Sequence, residues 1–593
     1  MEAISISAIL VSIIALAVAR FLYKGIRVRR QLHSLPGPPH SYLLGHLPLV
    51  AQLAASQPFN VHHQVLMFLL AQQHGFDDFF YLDTWPLSSP LLVVVDPGVA
   101  QLLTNFVLHL FCLCPPESTN TRNNPKVPKS PLIKHMLDSL VGQNSLVAMN
   151  GPLWKTWRTM LNPGFSLTNL MTLVPEIVDR SIDFCDILRD HAKKGDLFRM
   201  EEIATRLTID IIGKIVLAIV ADPTGSDVNL DSQHGDNELL TAFRSQVRLC
   251  GDDNSRGLFD RFNPWTRQKI QENTAIMNEF IGKIVDARLA SKSSTEKQAI
   301  DKTAQLKYII DIILDAGLES KNEDKATKQQ LPSHFRDTAL TQIKTFMFAG
   351  HDTTSSTICY AYHLLHHNPR CLEVLRAEHD AVLGDVEGTA DRIRENPQLL
   401  SKLEYTTAVV KETLRLYNPA GTLRAGTRDA FVHSRSTGQS YPTEGFNVYF
   451  NNFASHRRPG LWGASSHTFK PERFLASASP SSPSPPAPTN KNAWRPFEKG
   501  PRRCIGQDLA VLETKIILAL TVRRFDVATT FRGTDRLEGA GTQWARERPW
   551  DKRAVLGDEA YQVRIGIAKP RQGMPAVVRM VERGEEKGVN GRG

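Results

Sequence analysis

The sequence predicts a mainly α-helical body with a small β-rich lobe, preceded by one N-terminal transmembrane helix. Three observations carry this. Apolar residues recur at helical spacing across residues 153–416. Short β-branched or aromatic runs at 79–82 and 91–95, and again at 447–450 and 562–567, read as strands on either side of that helical stretch. Residues 3–19 contain no charged side chain.

The uncharged run comes first in the chain. If Arg20 snorkels and the run continues through Phe21, Leu22 and Tyr23, it is long enough to cross a bilayer as a helix, which takes about 20 residues. A cleaved secretory signal is the competing reading, because Ala17-Val18-Ala19 is an A-x-A pattern after an apolar run. The order of charges favours a retained anchor. A signal places positive charge ahead of its apolar run, whereas here Glu2 alone precedes it and the basic residues follow. By the positive-inside rule the chain after Arg20 then stays cytosolic. Leu35-Pro36-Gly37-Pro38-Pro39 imposes a stiff, extended backbone. The expected partition is an anchor over residues 1–24, a basic and Pro-rich spacer over 25–39, one globular body over 40–570 and a disordered tail over 571–593.

Composition supports that body. The chain has 593 residues, 42% hydrophobic and 22% charged, which excludes a wholly disordered, collagen-like or disulfide-stapled protein. Its seven cysteines are odd in number and lack framework spacing, so at least one thiol is free, which favours a reducing compartment. Of the net charge of +9, +4 lies in residues 1–35, where Arg20, Lys24, Arg27, Arg29 and Arg30 face Glu2. A large body at +5 is no nucleic-acid footprint, so no such partner is expected.

Along the body, Pro86, Pro90 and Asp96-Pro97 punctuate the early strands. The helical stretch has breaks near 222–236 and 291–302. Ser333, after Pro332, is placed to cap a helix over 333–367 that Asn368-Pro369 stops. Apolar around much of its surface, that helix must cross the middle of the body. The Ser/Pro/Ala tract 476–489 reads as a surface loop.

The sharpest signal is Phe497-Glu498-Lys499-Gly500-Pro501-Arg502-Arg503-Cys504-Ile505-Gly506. Two glycines and a proline shape a tight loop ending at Cys504, followed by a helical run over 508–520. A cysteine entering a helix N-terminus among cationic side chains has its thiolate stabilised by exposed backbone N–H groups, as an iron ligand requires. The pattern FxxGxRxCxG, carried by Phe497, Gly500, Arg502, Cys504 and Gly506, resembles the haem-binding loop of the cytochrome P-450 family.

Other motifs carry the same resemblance. Ala349-Gly350-His351-Asp352-Thr353-Thr354 resembles the family's oxygen-activation motif. Its mechanics are specific: Gly350 removes a side chain where the helix passes haem and dioxygen, the Thr353 hydroxyl bonds back to the Ala349 carbonyl and locally opens the helix, and Asp352 relays protons. An isolated ExxR is usually a surface ion pair. Glu412-Thr413-Leu414-Arg415, followed by Pro471-Glu472-Arg473-Phe474, nevertheless resembles the family's buried Glu-Arg-Arg triad, implying a structural role for Glu412, Arg415 and Arg473. Trp154 and Arg158 match a WxxxR pair whose donors meet a haem propionate. Arg502 is implied as a second propionate partner and Arg424 as a third, with Arg428 competing for that place.

The resemblance covers nearly the whole chain and is nearest to membrane-bound fungal members, through residues 349–356 and 411–417. It implies haem b with its iron ligated by the Cys504 thiolate, in a single-pass protein of the endoplasmic reticulum membrane whose catalytic domain is cytosolic. The implied reaction inserts one oxygen atom into a hydrophobic small molecule, in secondary metabolism. Electrons would come from a separate NADPH-dependent reductase, since the chain holds no G-x-G-x-x-G, flavin module or ferredoxin cysteine set. Ile343, Phe346 and Met347, together with Ala420 and Thr422, are implied to line the substrate chamber. Lys155, Lys499 and Arg503 are candidates for the basic patch that docks the reductase; a solvated charged face is the other reading. Two further functions stay open: a reductase-independent isomerase or dehydratase of the same family, and a non-catalytic, membrane-anchored haem-binding protein. Residues 105–124 depart from the family pattern and read either as an insertion near the substrate entrance or as intron-derived sequence. Cys112 and Cys114 within them, lacking a second pair, make a weak metal site.

Overall fold

The computed structural model describes residues 2–58, 60–104, 127–218, 232–233, 237–250, 263–295, 308–319, 331–475, 490, 492–537 and 554–582. The departure at 105–124 and the tract 476–489 lie outside these residues, as does most of the first expected helix break.

The first helix, α1, runs unbroken over Glu2–His33 and so crosses the expected boundary between anchor and spacer. Its stretch Ala8–His33 is, among the described residues, the one helix long and apolar enough to cross a membrane. The C-terminal part of α1 is seated on the body. Phe21 packs on Trp85 with ring centroids 4.4 Å apart, and the Arg29 guanidinium lies 5.1 Å from the same ring while its Nε reaches Asp83 at 3.7 Å. The Pro-rich spacer begins only after His33, because nothing between residues 25 and 33 breaks a helix.

The helices that build the site are α2 (Gly151–Leu161), α3 (Val174–Lys194), α4 (Met200–Leu217), α5 (Glu238–Cys250), α6 (Ser333–His367), α7 (Glu404–Leu416) and α8 (Gln507–Thr521). The central helix α6 has the expected bounds, with one difference at its start. Pro332 is the N-cap and Ser333 the first helical residue, so no side-chain cap forms. Residues Thr338 to Phe348 and Thr354 to Leu365 of α6 are buried without interruption. A helix buried all round can only run through the core, here with α4 packed along it.

Eleven short strands complete the described fold: β1 (Phe79–Leu82), β2 (Leu91–Val94), β3 (Phe198–Arg199), β4 (Thr422–Ala425), β5 (Phe431–His433), β6 (Ser440–Pro442), β7 (Asn447–Phe450), β8 (Phe525–Thr529), β9 (Gln562–Ile565), β10 (Ile567–Pro570) and β11 (Pro575–Met580). One sheet has the order β1-β2-β7-β4, with β2 and β7 parallel and the other pairs antiparallel. The run at 562–567, expected as one strand, is instead the start of the β9–β10 hairpin. Gly566, at φ +70°, turns the chain there, a conformation open to glycine at little cost. The expected tail is also corrected. β11 is the middle strand of the sheet β3-β11-β8, with Ala576 and Val578 fully buried, so the body extends to Met580. Six residues beside glycines and charges carry too short a pattern to stand out in sequence, and pairing on both edges supplies what propensity lacks.

Candidate functional site

Cys504 lies just ahead of α8, whose N-cap is Gly506. The loop before it is closed by backbone bonds, Cys504 N–H to the Phe497 carbonyl at 2.9 Å and Arg503 N–H to the Gly500 carbonyl at 3.0 Å. Glu498 sits in the loop at φ +58°, uncommon for a non-glycine residue, and Arg495 Nε holds its carboxylate at 2.7 Å. The Cys504 side chain is accessible, yet burial pushes its thiol up, while the Gly506 N–H and the charges of Arg158 and Lys129 pull it down.

Cations surround that thiol. Arg424, carried in by β4, is 1% exposed, and none of its three guanidinium nitrogens has a hydrogen-bond partner. Arg502 donates from Nη2 to Asn150 Oδ1 at 2.6 Å and to the Met149 carbonyl, while its Nε and Nη1 are buried and unpartnered. Its guanidinium stacks 4.1 Å from the Trp154 ring, so α2 supplies the surface on which Arg502 lies. Burial pushes Arg424 down to about 10 and Arg502 down to about 9. Arg158, one turn beyond Trp154 on α2, is also lowered by burial, with Cys504 acting in the other direction. Arg428 does not join them, because it lies on the exposed turn after β4 and pairs with Glu444 at 3.4 Å.

Lys129 is the cation that sequence reasoning missed. It forms an isolated β-bridge with Arg424, and its Nζ donates to Thr422 Oγ1 at 2.9 Å. Burial, with Arg424 and Arg502 beside it, pushes its ammonium well down. A lone lysine in Pro128-Lys129-Ser130-Pro131 carries no spacing signal; only the bridge to β4 brings it here.

On α6, Thr353 Oγ1 donates to the Ala349 carbonyl at 2.8 Å, as expected, but the helix stays continuous and is not locally opened. A single side-chain bond of this kind coexists with the backbone ladder. Gly350 also differs from expectation. A Cβ there would meet Ile212 Cγ1 at 2.8 Å, so the missing side chain lets α6 close on α4. Ile343 and Met347 stand seven and three residues before Gly350 on the same stripe and are fully buried. Phe346 rests on Phe165 with ring centroids 5.0 Å apart. All three are buried, while Ala349 and Thr353 are half-accessible; Phe346, three residues before Ala349 and seven before Thr353, stands on their face of α6. Ala420 is exposed, and its carbonyl accepts from Asn418; Thr422 is engaged by Lys129. Asp352 is buried and bonded through Oδ1 to Lys569 of β10.

The Glu-Arg-Arg group is assembled as expected. Arg415 grips Glu412 through Nε and Nη2, both at 2.7 Å, and Arg473 Nε approaches Glu412 Oε1 at 3.4 Å. Lys155 and Arg503 are exposed and Lys499 half-buried.

Buried guanidinium nitrogens left unpaired are costly, and native structures rarely keep them without a ligand. Two here surround one accessible cysteine. The profile of the cytochrome P450 family matches residues 122–539. The chain belongs to the cytochrome P-450 family. The cytochrome P-450 monooxygenase polC of Polytolypa hystricis is 32% identical over 97% of this chain and 95% of its own. The cytochrome P-450 monooxygenase acrF of Aspergillus aculeatus is 32% identical over 88% of this chain and 98% of its own. Among solved structures, the haem domain of cytochrome P450DA superposes with a TM-score of 0.63 at 19% identity, over 92% of this chain and 98% of that one, and so shares the fold. The protein is thus a cytochrome P-450 monooxygenase, and the family's cofactor is haem iron. The residues present fit that group: the unpaired donors of Arg424 and Arg502 suit two propionates, and the Cys504 side chain is accessible.

Proposed function

We propose that the chain is a membrane-anchored, reductase-dependent haem-thiolate monooxygenase acting at carbon on a hydrophobic small molecule: RH + O2 + NADPH + H+ → ROH + H2O + NADP+. The observation that carries this reading is the set of orphaned guanidinium nitrogens on Arg424 and Arg502 beside the accessible Cys504. When bound, the haem binds and cleaves dioxygen, and a thiolate ligand favours that cleavage.

The chain's own residues have distinct tasks in this reading. Cys504 Sγ ligates the iron, steadied by the Gly506 N–H at the head of α8. Arg158, Arg424, Arg502 and Lys129 hold the propionates, and Trp154 keeps Arg502 flat against α2. Phe497, Gly500 and Gly506 shape the loop. Ala349 presents a small side chain on the Thr353 face of α6, Thr353 holds a proton at Oγ1, and Asp352 passes protons toward it. Glu412, Arg415 and Arg473 lock the fold beneath the loop and take no part in chemistry. The first helix anchors the protein in the endoplasmic reticulum membrane with its body on the cytosolic side. Lys155, Lys499 and Arg503 dock the separate reductase.

Two variants test the reading. Cys504→His in the full-length protein should abolish the thiolate-type absorption band of the reduced carbon monoxide complex; survival of that band would remove Cys504 as ligand. Thr353→Ala should leave NADPH consumption running while peroxide rises, and an unchanged peroxide yield would remove Thr353 from proton delivery. Ligand-induced shifts of the haem band across a panel of hydrophobic metabolites would narrow the substrate.

A further inference from the structure

Asp352 does not stand alone. Its Oδ1 and the Glu201 carboxylate of α4 both bond to the ammonium of Lys569 on β10, and all three side chains are buried. Thr205 adds a hydroxyl donor to Glu201 at 3.1 Å. The other Asp352 oxygen, Oδ2, is buried without a hydrogen-bond partner. It faces the β9–β10 turn, where a Cβ on Gly566 would lie 3.6 Å from Oδ2 and 2.6 Å from Val247 Cγ1 of α5. Glycine at φ +70° is what allows the turn to lie this close to the carboxylate.

The remaining polar groups facing the cluster do not compete for Asp352. His351 Nδ1 spends its proton on the Met347 carbonyl at 2.7 Å, its Nε2 stands 4.0 Å from Asp352 Oδ1, and burial lowers its basicity, so the ring is neutral. The Arg244 guanidinium of α5 acts on Glu201 and His351 from further away. The Cys359 thiol is pushed up by burial and stays protonated. For Lys569 the two carboxylates outweigh burial and raise its ammonium above the ordinary lysine value, so it keeps its proton and cannot itself be a relay. Burial pushes Glu201 up, but Lys569 more than cancels this and holds it low.

We propose that Lys569 is a positioning residue for proton delivery: it engages Oδ1 of Asp352 and leaves Oδ2 as the atom that accepts a proton, and it makes the β9–β10 hairpin part of the path to Thr353. This inference rests on the monooxygenase reading above. A buried carboxylate held by one ammonium is fixed in orientation as well as charge, and removing the ammonium leaves two buried acids that must share a proton. In the substrate-free holoenzyme, electrons from NADPH leave either as peroxide, O2 + NADPH + H+ → H2O2 + NADP+, or as water, O2 + 2 NADPH + 2 H+ → 2 H2O + 2 NADP+. The second route needs timely protons on the departing oxygen, so slower delivery raises the peroxide fraction.

The test uses the full-length, haem-loaded protein with a separate NADPH-dependent reductase and no added substrate. Lys569→Met should at least double the peroxide released per NADPH and add a new ionisation to its pH profile, and Lys569→Arg should restore most of both. Wild-type peroxide yield and pH profile in Lys569→Met, whatever its Tm, would overturn the proposal. Should Lys569→Met fail to retain haem, Glu201→Gln decides: it leaves the ammonium to Asp352 alone and should move the profile to lower pH by half a unit or more, and an unmoved profile overturns the proposal. A wild-type protein without the thiolate-type band, or without reductase-driven NADPH oxidation, sinks the monooxygenase reading and this inference together. An active wild type matched by Lys569→Met sinks this inference alone.

Discussion

Two groups of buried arginines lie in the same fold and differ in one respect. Around Glu412, Arg415 is fully enclosed by partners: the carboxylate, the His456 carbonyl at 2.5 Å, the Ser466 carbonyl at 2.6 Å and the Thr468 carbonyl at 3.2 Å. Around Cys504, Arg424 is just as buried and its guanidinium has no hydrogen-bond partner. Burying a charge costs several kcal/mol unless something pairs with it. The first group is paired by the chain and belongs to the fold. The second is left unpaired by the chain and belongs to a ligand.

That contrast is broken most directly at the paired group. Arg415→Leu leaves Glu412 only Arg473 and the Lys470 N–H and strands three backbone carbonyls in the core, and should cost about 3–5 kcal/mol in the haem-free and haem-loaded forms alike. Chemical denaturation of both forms measures this, and an Arg415→Leu protein that unfolds like wild type would erase the distinction.

The opposite pattern is expected at the orphaned group. Arg424→Leu removes an unpaired buried charge, so the haem-free protein should be as stable as wild type or more so. The haem-loaded protein should lose haem about tenfold faster or more, matching one or two charge-assisted hydrogen bonds. Haem transfer to a scavenging apoprotein follows the loss, and equal destabilisation of both forms would place Arg424 with the structural group. Lys129→Met should act in the same sense but more weakly, about threefold in haem loss, because Thr422 already satisfies one of its donors.

The smallest effect is a pH dependence. Arg502 is depressed to about 9 by burial in the haem-free fold, below its unfolded value, so the folded state sheds the proton first as pH rises. Its burial penalty is therefore present below about 9 and relieved above it. Relative to haem-free Arg502→Met, the haem-free wild type should gain stability on going from pH 8 to pH 10, and the gain should vanish once haem is bound. Thermal melts of the two proteins across that range measure it; a loss of relative stability with rising pH would reverse the assignment.

How much of this was legible in sequence depends on how local each signal is. The central helix, the strands at 79–82 and 447–450 and the loop into α8 were legible because each is built from neighbours in the chain: helical period, β-branched runs, and glycine and proline at a turn. The Glu412, Arg415 and Arg473 group was legible through a resemblance, and the chain of bonds between them agrees. What Gly350 makes room for was not legible, because it is set by which helix, α4, comes to lie against that part of α6. Sequence shows that Gly350 is small, and only the packing shows that the space it leaves is taken by Ile212.

The sequence by itself determined the helical class, the apolar first segment, the Cys504 loop and the identity of the arginines, because these depend on residues close together along one chain. Only the tertiary structure decided which arginine turns inward, since Arg424 and Arg428 are separated by the end of a strand and not by any difference in chemistry. It alone brought Lys129 to Thr422 across 293 positions and Lys569 to Glu201 across 368. Electrostatics acts through space, and a charge is matched or orphaned by what the fold places within a few ångströms of it.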